Sequence, residues 1–215
     1  MKIAVVSEVS AVDRNSAIVA SLEGRGHEVL NAGMRSRDDP ELTYLHTGFL
    51  AALLLHAGRA DLVVGGCGTG QGFLNSVLEY PGVCCGLLLE PIDAWLFRQI
   101  NAGNCVSLAL NKGFGWASEV NLRLLFDGFF SVEEGTGYPP ARRESQQQSR
   151  RMLGEVSRVA HRGFPEIVRG LDEVVAGPVL SFPGVRELLA VDGLADPSLA
   201  EALRSRLPRQ RPGRG

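Results

Sequence analysis

The chain lacks a charge excess of either sign: 22 Lys and Arg against 24 Asp and Glu leave a formal net charge of −2. A surface so balanced offers no general attraction to phosphate backbones or anionic lipid, so neither nucleic acid nor a membrane is an expected partner. Long apolar runs are missing too. The longest, Phe49 to Leu55, falls far short of the ~20 residues that a bilayer span needs. The opening MKIAVVSEVSAV is interrupted by Ser7 and Glu8 and predicts a first strand, not an export signal. With nothing to export or anchor the chain, a cytoplasmic location is expected. Cysteine is scarce, and Cys67, Cys84, Cys85 and Cys105 form no CxxC pair. No disulfide framework is expected, and a reducing compartment fits. No repeat period is visible, and no metal or cofactor is implied.

What is present is ordinary globular composition, 45% apolar and 21% charged over 215 residues. That suffices for one α/β domain, with or without a small appendage. Short apolar runs alternate with helical patterns. Residues 2–7, 27–33, 61–66, 83–89 and 105–110 read as strands. Helices are predicted from about Asp13 to Gly24, over 41–57, over the short FLNSVLEY segment, over 90–103 with Pro91 in its first turn, and from an N-capping Ser118 to about Asp127. Strand and helix in alternation predict a parallel five-stranded sheet, Rossmann-like, with helices on both faces. After Phe130 the composition turns polar and rich in Gly, Pro, Arg and Gln. We therefore divide the chain into an α/β domain over 1–140, a mainly helical extension over 141–207, and a disordered tail over 208–215. Within the extension a helix is expected over 143–160 and a strand is possible at 177–182. The arginines from Arg204 onward read as a solvated tail.

The segment that carries chemistry is Gly65-Gly66-Cys67-Gly68-Thr69-Gly70-Gln71-Gly72. It leaves the carboxyl end of a predicted strand and opens a helix, where α/β sheets bind their ligands. Glycines bring backbone N–H groups close to a ligand and favour an anion or a developing oxyanion. The loop is not a Walker loop, having no Lys-Ser/Thr pair, and its alternate-position glycines do not match GxGxxG. Its distinguishing feature is a thiol. Near a helix N-terminus a cysteine pKa is expected to fall from about 8.5 toward neutrality, which suits proton abstraction beside a carbonyl. Loop spacing alone leaves open a second reading, a small residue tolerated in a tight turn. The other three cysteines lie in apolar runs and read as small hydrophobes.

GGCGTGQG, followed in register by PGVCCGLLLEPIDAWLFRQINAGN, resembles the ribose/galactose isomerase family over roughly residues 1–130. LNKGFGW and YPPARRES suggest a divergent branch with an added C-terminal part. The resemblance implies an aldose–ketose isomerase of a sugar phosphate, pentose or hexose, working without metal through a cis-enediol, as a homodimer with active sites between subunits. By the same analogy Cys67 is the base and Thr69 stands beside the substrate. The amides of Gly68, Gly70 and Gly72 line an oxyanion pocket, Gly66 and Gln71 complete the binding loop, and Asn101 reaches a sugar hydroxyl in the neighbouring subunit. Arg142 and Arg143 match phosphate-binding arginines. Several positions depart from the family pattern. Glu8 and Val9 replace an Asp-His pair, Ile100 replaces the ring-opening histidine, Leu78 and Glu79 replace an Asn-Lys pair, and Asn111, next to Lys112, replaces a phosphate-binding arginine. His46 is the stand-in for the missing histidine, against the plainer reading of a packed side chain. Arg98 either belongs to the family's RQ motif or pairs with Glu90 or Asp93 on its own helix.

Four functions follow: a sugar-phosphate isomerase, an isomerase of an open-chain or unphosphorylated sugar derivative, a sugar-phosphate-binding protein that kept the fold but not the chemistry, and, on fold analogy alone, a nucleotide-binding flavodoxin-like module. An intact thiol among intact glycines favours catalysis.

Overall fold

The computed structural model describes residues 1–208; most of the proposed tail, 209–215, lies outside the described residues. Five strands, β1 (Lys2–Val5), β2 (Glu28–Asn31), β3 (Leu62–Cys67), β4 (Cys85–Leu88) and β5 (Cys105–Ala109), form one sheet in the order β2-β1-β3-β5-β4. Every pairing is parallel. Each apolar run became a strand because both sheet faces are covered, which lets a strand be hydrophobic on alternate and intervening residues alike. Ile3 and Val5 face a core built with α1 (Asn15–Leu22), α4 (Pro91–Leu96) and α5 (Ser118–Phe130). Ala4 and Val6 face the other core, built with α2 (Tyr44–His56) and α3 (Gln71–Leu78).

The helical extension is as expected in class: α6 (Arg143–Ala160), α7 (Phe164–Gly170), α8 (Glu173–Leu180), α9 (Val185–Leu189) and α10 (Pro197–Arg206). Its last four helices contribute Phe164, Val168, Val179, Leu180, Leu189 and Leu203 to the same buried core as α2 and the sheet. This explains α2, whose Thr47 to Leu54 are all buried. A helix apolar on every side needs cover on every side, and α2 has the sheet beneath it and α7–α10 above. His56 stacks on Phe164 at 4.0 Å, and Arg59 donates to the Leu189 carbonyl from Nε (3.0 Å) and Nη2 (2.9 Å). Helix α6, by contrast, has no buried residue and presents Met152, Val156 and Val159 outward.

Two local expectations are corrected. Residues 177–182 are not a strand: α8 runs to Leu180, started by the Asp172 carboxylate, which accepts from the Val174 amide at 2.8 Å. The cap and the burial of Ala176, Val179 and Leu180 outweigh the strand-like composition and Pro178. Ser118 is the first residue of α5, after Ala117 in the left-handed region (φ 63°). Its Oγ bonds Gly115, closing the preceding turn. The helix expected over 90–103 also ends in a π-helical turn, Phe97–Asn101.

Candidate active site

The sheet's carboxyl end gathers the residues that follow β1, β3 and β5. Cys67 is the last residue of β3, paired with Ala109 of β5, and its side chain lies on the α2/α3 face. The close fit of this strand end depends on glycine. A Cβ on Gly65 would overlap the Phe73 ring, and one on Gly66 would overlap the Leu108 carbonyl oxygen. Gly70 (φ 77°) turns the chain in the left-handed region and caps α3. Buried Ser107 fixes that turn by donating to the Gly70 carbonyl at 2.6 Å.

Cys67 is buried at 7% exposure and packs into the α2/α3 core, with the glycine loop leaving the sheet directly after it. Thr69 Oγ1 is 3.9 Å from the sulfur and accepts from the Gln71 amide at 3.3 Å. The Gly70 amide is engaged with the Cys67 carbonyl at 3.2 Å. The Gly68 amide is engaged as well, donating to Ser10 Oγ at 3.1 Å. Among the described residues the Thr69 and Gly72 amides have no hydrogen-bond partner. The oxyanion donors expected at 68, 70 and 72 are thus reduced to Gly72, with Thr69 added. Two of the other thiols are less suited to act as bases. Burial pushes Cys105 well above the ordinary thiol range, with Cys85 adding to it, and burial likewise raises Cys84.

Glu8, three residues past the end of β1, is buried at 3% exposure. Its carboxylate accepts from the Ser10 amide at 3.0 Å and from the Ser10 hydroxyl. The Ser10 carbonyl in turn accepts from Asn111 Nδ2 at 2.6 Å. The Gly68 carbonyl accepts from the amides of Asn111 (3.0 Å) and Lys112 (2.9 Å). The peptide after Cys67 is therefore held from both sides, by β1 and by the β5 loop. A cavity of about 220 Å³ opens beside the ends of β4 and β5, lined in part by Leu88, Ala109, Lys112, Phe114 and Asn121. Cys67 does not line it.

The remaining expected residues lie elsewhere. His46 is the third residue of α2: its Nδ1 accepts from the Thr43 amide at 2.9 Å, which leaves Nε2–H to donate to the Val174 carbonyl at 3.0 Å. Both ring nitrogens are engaged, Nδ1 in capping α2 and Nε2 in holding α2 to α8. Asn101 precedes β5 and so lies at the sheet's amino end, about 13 Å of strand from Cys67 at ~3.3 Å per residue. Arg142 and Arg143 start α6 on the segment tied to the turn that holds Asn101: Arg143 donates to the Thr136 carbonyl at 2.7 Å, and Gly137 donates to the Gln99 carbonyl at 2.9 Å. Arg98 pairs with neither Glu90 nor Asp93 but with Glu134, at 2.7 Å. Among the described residues no three His, Cys, Asp or Glu side chains converge on a metal-ion position. One chain thus brings together Glu8, Cys67, Thr69, Gln71, the loop glycines and Lys112, and leaves Asn101, Arg142 and Arg143 apart. Sequence reading passed over Ser10 and gave Asn111 no contact of its own, since a bond between residues 101 apart leaves no local pattern.

Fold and site together define a class: a parallel α/β protein with a thiol where a strand enters a glycine-rich turn and backbone donors in the turn that follows. The particular family follows from comparison. The model of the Ribose/Galactose Isomerase family matches residues 3–136, and the chain belongs to that family. A solved structure of ribose-5-phosphate isomerase from Vibrio parahaemolyticus is 40% identical, covering 96% of this chain and 99% of its own with a TM-score of 0.91. A 4-deoxy-L-threo-5-hexosulose-uronate ketol-isomerase, solved with a tartrate, is 37% identical, with coverage of 95% and 98% and a TM-score of 0.90. A ribose-5-phosphate isomerase B from Clostridium thermocellum, at 21% identity, 74% and 99% coverage and a TM-score of 0.60, shares the fold. Membership and these neighbours make the protein a sugar isomerase.

Proposed function

We propose that the protein is an aldose–ketose isomerase of an acidic sugar, with Cys67 as the base that takes the proton beside the carbonyl. The observation that carries this is the sulfur at the end of β3, where the strand enters a loop whose Thr69 and Gly72 amides have no partner among the described residues. A thiolate there removes the proton from C2, the electrons form the C1=C2 bond, and the amides steady the negative oxygen. Each such donor is worth about 3–4 kcal/mol where it has been removed from other enzymes. A proton delivered from Cys67 to C1, together with transfer of the O2 hydroxyl proton to O1, completes the isomerisation.

Two substrates are supported by different features. A pentose or hexose phosphate follows from the family and from the 40% identical Vibrio structure, with Lys112 and a second subunit's Arg142 and Arg143 as its charge partners. That assignment requires a homodimer, because Asn101 and both arginines stand at the far end of the sheet from Cys67 in one chain. A uronate, as in the name of the 37% identical ketol-isomerase, is favoured by a specific observation. Asn111 stands where the family pattern has an arginine, so one of the cations expected for a phosphate is missing, and its neutral side chain is taken up by the Ser10 carbonyl. A linear uronate also needs no ring-opening group, which accords with Ile100.

The test is a parallel assay of D-ribose 5-phosphate and 4-deoxy-L-threo-5-hexosulose uronate, following product and deuterium uptake from D2O by NMR. Conversion of either, abolished in Cys67→Ala, supports the proposal and identifies the acid group. Exchange that persists in Cys67→Ala removes Cys67 as the base. Binding of a phosphosugar without any exchange would mean a protein that kept the fold and lost the chemistry.

A further inference from the structure

Isomerisation moves two protons, and Cys67 accounts for one. When the C2 proton leaves, the carbonyl electrons settle on O1. Before the proton is returned at C1, O2 must lose its hydrogen and O1 must gain one. The position where the family pattern has its ring-opening histidine is Ile100, so that side chain offers no help with either oxygen.

The structure holds a group suited to that transfer. Ser10 is exposed at the sheet's carboxyl end, whereas Glu8 behind it is buried at 3%. The Ser10 hydroxyl donates to the Glu8 carboxylate, and the Ser10 amide donates to the carboxylate's other oxygen at 3.0 Å. The Ser10 oxygen accepts from the Gly68 amide at 3.1 Å, which fixes it one residue from the base. A hydroxyl oxygen has two lone pairs; Gly68 occupies one, and among the described residues no second donor takes the other. The amide of Asn111 fixes the Ser10 backbone at 2.6 Å. A solvent-facing hydroxyl with a buried carboxylate on its proton can accept a proton on one side while releasing its own on the other.

We infer that Ser10, backed by Glu8, is the catalytic group that carries the proton between O2 and O1 of the enediol. Ser10 Oγ accepts the O2 proton as its own proton crosses to Glu8. The reverse shift delivers a proton to O1, and O2 becomes the new carbonyl oxygen as Cys67 protonates C1. Serine and carboxylate end as they began, and nothing is consumed. This inference rests on the isomerase proposal.

The test separates carbon chemistry from oxygen chemistry. With whichever of the two probe sugars the protein converts, NMR in D2O measures deuterium washed into recovered substrate and, separately, product formed. Positioned acid–base groups contribute about 100-fold or more. Ser10→Ala is therefore expected to slow product formation by about 100-fold while slowing wash-in less than about threefold, so that the ratio of wash-in to product rises at least ~30-fold. Glu8→Gln, which keeps the shape and an acceptor for Ser10, raises the ratio in the same direction. Cys67→Ala abolishes both signals. Parallel loss of wash-in and product in Ser10→Ala and in Glu8→Gln would show that the pair only braces the loop, overturning the inference and leaving Cys67 in place as the base. Conversion of neither sugar by the unaltered protein overturns the isomerase proposal instead, and the inference with it.

Discussion

Phe164→Ala probes the joint between the extension and the sheet domain. Phe164 is 3% exposed, stacks on His56 at 4.0 Å, and meets Tyr80 edge-on at 6.2 Å and Phe49 at 6.4 Å. A buried phenylalanine withdraws at least ~150 Å² from water, and ~25 cal/mol per Å² makes that nearly 4 kcal/mol. The cavity left behind places the total within the 3–5 kcal/mol typical of Phe→Ala in a core, so about 4 kcal/mol is expected. For a chain of this size ~2–4 °C is lost per kcal/mol, giving a fall in Tm of about 8–16 °C. Calorimetry and far-UV circular dichroism measure it, and the shape of the transition carries as much information as its midpoint. Because α7–α10 and α2 share one core, the variant should still melt in a single cooperative step. Two separated transitions, with the midpoint of the sheet unchanged, would mean that the extension is an independent unit. A loss below about 1 kcal/mol would mean that the core can close over the gap, and the reasoning about α2 would fail.

Gly65→Ala sets a methyl group against the Phe73 ring; overpacking should cost about 1–3 kcal/mol in urea unfolding and lower kcat, because α3 starts at the same loop. Ser107→Ala removes the bond that fixes the Gly70 carbonyl. A loss of about 1–2 kcal/mol is expected, with a higher KM for whichever sugar is converted. Burial lowers the pKa of His56 against the opposing bond to the Pro81 carbonyl. The unfolded chain, with an ordinary value near 6.5, therefore binds more protons than the folded one. The stability linked to His56 is complete above about pH 6.5 and is lost as pH falls through its lower folded value. Melting curves from pH 7.5 to 5 should show a shallow decline, since part of the ring is in solvent, and His56→Gln should flatten it. His27, lowered chiefly by burial, leaves a residual slope of the same sign.

The strands were legible because each is a short apolar run closed by glycine or a polar cluster, and a parallel sheet covered on both faces leaves that mark. The loop around Cys67 was legible because close packing admits no side chain at Gly65 and Gly66. The third layer was written in FLAALLL, apolar on every side, yet a buried helix and a helix of ordinary amphipathic type differ only in what lies above them. Residues 177–182 misled because β-branched and aromatic side chains mark burial as well as strands, and the Asp172 cap decided the outcome. Ser10 and Asn111 were illegible for another reason: they meet only after β1 and β5 have been placed on either side of β3. His46 looked like chemistry, and its ring turned out to bridge two helices.

That bridge has a consequence for the far end of the chain. Tyr44, two residues before His46, rests its ring within reach of Gly72, where a Cβ would sit 3.1 Å from it. The rim of the glycine turn is thus fastened, through one turn of α2, to a carbonyl more than a hundred residues downstream. Shortening the protein to its sheet would not yield a minimal enzyme, because the rim would lose its anchorage along with the roof.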